Sequence, residues 1–234
     1  MTDAPRYAIY YAAAAGSALD RFGAGLLGYD ALVGEELAFP DGIEQFLPDW
    51  REMTRDPRKY GFHATLKAPM ALADGKTEAE LLAACDSFAR SPRAIPVIKP
   101  VVNEIGDFIA AVPSQRCAEL EQLAADTVSA FDGFRAPLAP ADRARRRPEQ
   151  LTPRQRDYLD RWGYPYVMEE FRFHMTLTGR LPDERRGTVL AELRRRFAAI
   201  ELAELAIDTI AVFRQQNAKS PFRIVQRYEL TARP

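Results

Sequence analysis

The sequence is poor in the residues that most often carry enzyme chemistry: its 234 residues include two histidines and two cysteines. Cys85 and Cys117 are far apart and form no Cys-x-x-Cys pair. That excludes a disulfide framework and points to a reducing, cytoplasmic setting. Two histidines without a His-Glu-x-x-His spacing or a clustered ligand set give no reason to expect a metal or another cofactor. A charge excess is missing too, because 32 basic residues meet 33 acidic ones for a net charge of −1. This balance speaks against a binder of long nucleic acid. Short RNA ends, or a small phosphorylated substrate held by two or three local cations, remain open. No apolar run is long enough to span a bilayer. Met1-Thr2-Asp3-Ala4-Pro5-Arg6 lacks the basic and apolar regions of a signal peptide, so no membrane or secretory role is expected. The oligomeric state stays open.

What remains is ordinary for a globular chain, with 47% hydrophobic and 28% charged residues. The length suits one bilobal unit, residues 1–234. Arg6 to Ala12 reads as a first strand. Ser17 caps a short helix running toward Gly28, and a helical turn is expected near Ile43 to Phe46. Tyr60 to Lys67 is a short strand ended by Pro69. Thr77 and Glu80 open an amphipathic helix to about Ala89. Ile95 to Glu104 and Phe108 to Val112 form a hairpin turning at Gly106-Asp107. Ser114 caps a helix to about Phe131. Residues 133–166 differ in composition, with Pro137, Pro140 and Pro148 around Arg143 and Arg145-Arg146-Arg147. They read as an insertion or lid ending in a polar helix, Thr152 to Trp162, and the arginines read mainly as a solvated face. A strand from Glu170 to Thr178, a helix from Asp183 to Ala199 and a hairpin, Leu205 to Gln215 with Phe222 to Leu230, close the chain. Each half holds one histidine strand followed by a helix. The expected fold is therefore α+β: two similar lobes of mainly antiparallel sheet facing each other across a cleft.

Both histidines sit in the same short pattern, Phe62-His63-Ala64-Thr65-Leu66 and Phe173-His174-Met175-Thr176-Leu177. With threonine at roughly one residue in twenty and leucine at about one in ten, the double coincidence is of order 10⁻⁵. Strand alternation puts Phe62, Ala64 and Leu66 on one face and His63, Thr65 and Lys67 on the other. In the second segment Phe173, Met175 and Leu177 oppose Arg172, His174 and Thr176. Histidine is poised between acid and base near neutral pH. The threonine beside it offers a hydroxyl to a phosphoryl oxygen, and Lys67 and Arg172 offset phosphate charge. Two such strands face to face would set one histidine on each side of a phosphorus atom. Tyr60, just before the first histidine strand, is within reach of the cleft, with packing an equal alternative. Alternation sets Tyr10 opposite Tyr7, Ile9 and Tyr11, toward the cleft. Arg214 and Gln215 enter the last loop, where phosphate contact and a surface role are equally supported. Trp50 and Trp162 read as anchors of the large loop and of the insertion.

Paired His-x-Thr-x strands mark the 2H phosphoesterase superfamily, which this sequence resembles over nearly its whole length. Arg58 to Pro69 and Phe171 to Arg180 look like a bacterial branch described as a phosphonate-metabolism protein of unknown function. The resemblance implies two pseudo-symmetric lobes around a water-filled cleft, with catalysis by His63, Thr65, His174 and Thr176. It implies a metal-independent phosphoesterase, a hydrolase that opens a small cyclic phosphodiester. The branch's association suggests a ribose cyclic phosphate of phosphonate metabolism. Alternatives are an RNA 2′,5′ ligase, an RNA-end 2′,3′-cyclic phosphodiesterase, or a protein that binds a cyclic phosphate without turnover. The histidines lie 111 residues apart (174 − 63), a spacing stretched by residues 133–166.

Overall fold

The computed structural model describes residues 4–233. Seven strands build one sheet: β1 (Arg6–Tyr11), β2 (Ala64–Met70), β3 (Pro100–Ile105), β4 (Phe108–Pro113), β5 (Met175–Thr176), β6 (Thr209–Gln215) and β7 (Phe222–Glu229). Their order across the sheet is β7-β6-β1-β2-β5-β4-β3, and every pairing is antiparallel. The protein is thus α+β with a large antiparallel sheet, but the strands do not separate into two facing sheets. They join at β2 and β5, where Ala64 opposite Met175 is the registered pair.

Helices α1 (Ala18–Leu27), α2 (Glu78–Arg90), α3 (Ala118–Phe131) and α6 (Asp183–Ala198) supply the flanking layer. Their starts follow local chemistry. The Ser17 hydroxyl accepts from the Asp20 amide, and α1 ends at Gly28 in the left-handed region. Thr77 and Glu80 form a reciprocal capping box at α2. At α3 the expected cap moves: Ser114 still pairs through its amide with the Lys99 carbonyl as part of the hairpin, and Cys117 precedes the helix. Leu26, Leu81, Leu123 and Leu193 from these helices share one core with Ile9, Leu66, Met175 and Val212 of the sheet. Trp50 is fully buried, and its indole N–H donates to the Leu26 carbonyl, tying the large loop to α1.

The other face of the sheet carries a smaller cluster that includes Ala8, Tyr10, Ala211, Phe213 and Phe222. Residues 133–166 hold two short helices, α4 (Pro140–Arg145) and α5 (Pro153–Trp162), the second opened by a Thr152–Gln155 capping box. Two strands differ from the expected bounds. The first histidine strand runs through Pro69, because register shifts against β1 create a bulge in which a residue without an N–H is tolerated. The second shrinks to Met175–Thr176, since a 3-10 turn at Met168–Glu170 precedes an extended but unpaired stretch.

Candidate phosphate-binding site

Ala64 and Met175 both belong to the core under the helices. Alternation therefore turns His63, Thr65, His174 and Thr176 onto the opposite face. Antiparallel register has a further result. With Ala64 opposite Met175, His63 falls opposite Thr176 and Thr65 falls opposite His174. The two motifs are crossed, so each histidine neighbours the other motif's threonine. Opposed residues have Cβ atoms about 4.5–5.5 Å apart, and alternate residues along a strand about 6.6 Å. The four side chains thus form a patch on the scale of one phosphoryl group.

Two cavities meet along this patch. One, of about 590 Å³, includes His63 and Thr176, and the other, of about 460 Å³, includes Thr65 and His174. Phe108 at the start of β4 borders both, with its ring centroid 5.7 Å from that of His174.

Both imidazoles are held the same way. His63 Nδ1 lies 2.9 Å from the Gly61 carbonyl oxygen, and His174 Nδ1 lies 2.7 Å from that of Arg172. A carbonyl oxygen only accepts, so Nδ1 carries the proton and Nε2 is left as a free base. The Thr65 hydroxyl sits 3.4 Å from His63 Nε2. Burial above all, opposed by the bond to the Gly61 carbonyl and helped by a positive charge on His174, pushes His63 down to about 4. Burial also lowers His174. Each ring thus resists protonation, and a proton on His174 disfavours a proton on His63.

The structure brings some of the other expected residues to this patch and removes others. Tyr10 stacks on His63 at 3.9 Å between centroids and 24° between planes. Tyr60 lies 6.1 Å from His63, borders its cavity and stacks on Phe222. Arg172 is exposed and borders the His174 cavity. Lys67 does not reach the cleft. The bulge in β2 breaks its alternation with Thr65, and its ammonium is buried against Asp132 Oδ1 at 2.7 Å and the Val128 carbonyl at 3.1 Å. Arg214 is on the wrong face, because it alternates with Phe213, and it pairs with Glu78 of α2 at 3.0 Å. Gln215 is buried away from either cavity, where it accepts from Arg6 and donates to the Ser220 carbonyl. Sequence reasoning missed Phe108, Gln155, Tyr164 and Tyr166, all of which border the His174 cavity. For the tyrosines a signal existed: Tyr164-Pro165-Tyr166 is an aromatic island in a polar segment. Among the described residues no cluster of His, Cys, Asp and Glu is arranged to hold a metal ion. No helix among them is long and apolar enough to cross a membrane.

A family model described as "Protein of unknown function (DUF1045)" matches residues 65–223. The ribose 1,5-bisphosphate phosphokinase PhnN of Janthinobacterium sp. (strain Marseille) is 36% identical over 229 residues, covering 95% of this chain and 50% of that protein. The protein of the same name from Laribacter hongkongensis (strain HLHK9) is 31% identical over 223 residues, covering 94% and 50%. The chain thus spans about half the length of the curated relatives it matches. A solved structure of a conserved protein of unknown function from Agrobacterium tumefaciens str. C58 aligns with a TM-score of 0.42 at 11% identity, over 97% of this chain and 85% of that one. The phosphokinase names overturn the expectation of a cyclic phosphodiesterase: a phosphokinase is a transferase, not a hydrolase of a diester.

Proposed function

Because the chain belongs to the family described as protein of unknown function DUF1045, whose description assigns no reaction, we propose a function from its own groups: the patch on β2 and β5 binds the phosphoryl end of a small phosphorylated ribose of phosphonate metabolism, and His63 and His174 exchange protons with its oxygens. The observation that carries this is the crossed His/Thr arrangement, with both Nδ1 atoms tied to carbonyls two residues back. Two free Nε2 atoms beside two hydroxyls suit a group that must lose a proton at one oxygen and gain one at another. His63, neutral down to about pH 4, takes the base role. His174, beside exposed Arg172, takes the acid role once an anion raises its affinity for a proton. The same arrangement supports the 2H resemblance in the placing of groups; the reaction of that superfamily is not carried over. The ribose phosphate comes from the printed name of the relatives.

This chain's own resemblance to the nucleotide-binding loop of a phosphokinase is incomplete. Gly75-Lys76-Thr77 lies between a strand and a helix, like the end of a P-loop, but Met70 stands where that spacing needs its first glycine. The Thr77 hydroxyl is committed to capping α2, and Lys76 lies over the Phe134 ring.

The test is to follow ribose 5-phosphate and ribose 1,5-bisphosphate by phosphorus NMR with the purified chain, with and without ATP. His63→Ala and His174→Ala are each expected to slow conversion by about 10²-fold or more. Conversion that is unchanged in both variants overturns the proposal. Binding without conversion in the wild type reduces the patch to a sensor.

A further inference from the structure

Tyr10 stands apart among the residues beside His63. Only 1% of its surface is exposed, and among the described residues its hydroxyl makes no hydrogen bond, yet it is not one of the sealed polar atoms left without a partner. The little access that the side chain keeps is therefore at its hydroxyl, which is free to donate to a ligand. Its ring is fixed between His63, at 3.9 Å, and Phe213, at 4.9 Å.

Two further phenols approach from either side. Tyr60 borders the His63 cavity, and Tyr164 of the arginine-rich segment borders the His174 cavity. Two arginines accompany them. Arg6 crosses the Phe222 ring at 5.7 Å and is aimed by its hydrogen bond to Gln215. This gives Gln215 a role that acts through Arg6. Arg146 lies over the Tyr164 ring at 4.9 Å. Within the arginine run Arg143 is tied to Asp160 and Arg145 to Asp142, while Arg146 has no carboxylate partner among the described residues. The groups feel one another's charge. Burial raises Tyr10 most; ionised Tyr60 and Tyr164 would raise it further, and Arg6 and Arg146 pull it down. Tyr164 is affected by Arg146 and Tyr60 in the same directions.

We propose that the hydroxyls of Tyr10, Tyr60 and Tyr164, with Arg146 and Arg6, form a second anion subsite beside His63, and that the substrate therefore carries two phosphoryl groups. The inference rests on the functional reading above and deepens it. One phosphoryl group lies over the His/Thr patch and the other among the phenols. Hydroxyl donors and guanidinium groups are the usual partners of phosphoryl oxygens, and charge-assisted bonds are about twice as strong as neutral ones. Arg146 sits on the segment that borders the cleft, so the second phosphoryl group also fastens that segment over the first. The chemical class is a sugar bisphosphate; a monophosphate leaves the subsite unfilled.

Calorimetric titration with ribose 5-phosphate and ribose 1,5-bisphosphate tests this. The wild type is expected to bind the bisphosphate at least about tenfold more tightly, a gain of about 1.4 kcal/mol. Tyr10→Phe and Arg146→Ala are each expected to lose most of that tenfold preference while the monophosphate affinity holds. Arg145→Ala, which breaks an exposed pair, serves as the control and keeps the preference. Tyr10→Phe removes a hydroxyl that holds nothing in the protein, so the fold survives it. Equal wild-type affinity for the two ligands, still dependent on His63 and His174, overturns the second subsite alone. An Arg146→Ala variant that weakens both ligands equally also overturns it. Failure of the wild type to bind either ligand overturns the functional reading as well.

Discussion

His63 is held by a backbone that only glycine adopts easily. Gly61 has φ +72, and its carbonyl receives the His63 Nδ1 proton. A Cβ on Gly61 would lie 2.6 Å from the Ala31 Cβ. Gly61→Ala is expected to cost about 1–2 kcal/mol for the left-handed backbone and about 1–3 kcal/mol for the overlap. Gly75→Ala is the control, with φ +77 and nothing within 4 Å, so chemical denaturation of the two variants separates strain from clash. Nitrogen NMR of the imidazole should show the Nδ1 tautomer disturbed in Gly61→Ala and intact in Gly75→Ala. The pH dependence belongs to this residue as well. The folded His63 titrates at about 4, against 6.5 for an ordinary histidine. Between these values the unfolded chain holds a proton that the folded chain refuses, so stability falls as pH falls from 6.5 toward 4. Above pH 6.5 the effect vanishes. Its limit is about 3 kcal/mol, and buried His174 acts in the same direction. Urea midpoints at pH 7 and pH 5 should differ more for the wild type than for His63→Gln. Equal differences would show that His63 is not desolvated in the folded state.

At the scale of elements, whatever rests on short-range chemistry was legible in the sequence. The Ser17 cap, the Thr77–Glu80 box and the hairpin around Gly106 each depend on a few adjacent residues, and each is present. Alternation in the two histidine strands was legible for the same reason. The misses depend on partners far along the chain. Nothing near Lys67 announces a bulge, or Asp132 waiting 65 residues away. Arg214, alternating with Phe213 of the opposite face, lies on the helix side because β6 pairs with β1 in a register that places it opposite Tyr7. Burial pulls the Lys67 ammonium below its ordinary value, against the opposing pull of Asp132. Asp132 also accepts from Arg135, whose guanidinium bonds the Arg161 carbonyl of α5. Asp132→Ala strands a buried ammonium and is expected to destabilise by about 3–5 kcal/mol, whereas Lys67→Met, which removes the charge, should cost much less. Thermal or urea unfolding of the two variants decides this. Equal losses would mean that the pair is solvated in the folded protein.

The whole molecule is two strand groups meeting at a narrow seam. On one side β7, β6, β1 and β2 are joined by long ladders, on the other β3 and β4, and β5 links them through Ala64 and Met175. The proposed site lies on this seam, and residues 133–166 straddle it. Their start is strapped to the chain after β2, with Ala136 N–H donating to the Ala71 carbonyl and Ala73 N–H to that of Phe134. Their end reaches the β5 side, where Gln155 donates to Glu170 at 2.9 Å. A ligand touching His63, His174 and Arg146 therefore bridges both strand groups, which pair across β5 over few residues, and the arginine-rich segment. Any opening that breaks this bridge must first release the ligand. At a ligand concentration of one hundred times Kd that opening is disfavoured by a further 2.7 kcal/mol or so. Hydrogen exchange measured with and without ribose 1,5-bisphosphate is expected to slow by up to about 100-fold in peptides covering 133–166 and 173–178 together, with α6 unchanged. Slowing confined to 133–166 would mean that the sheet is rigid across the seam and that the arginine-rich segment moves alone. Slowing at 173–178 alone would remove Arg146 from the ligand.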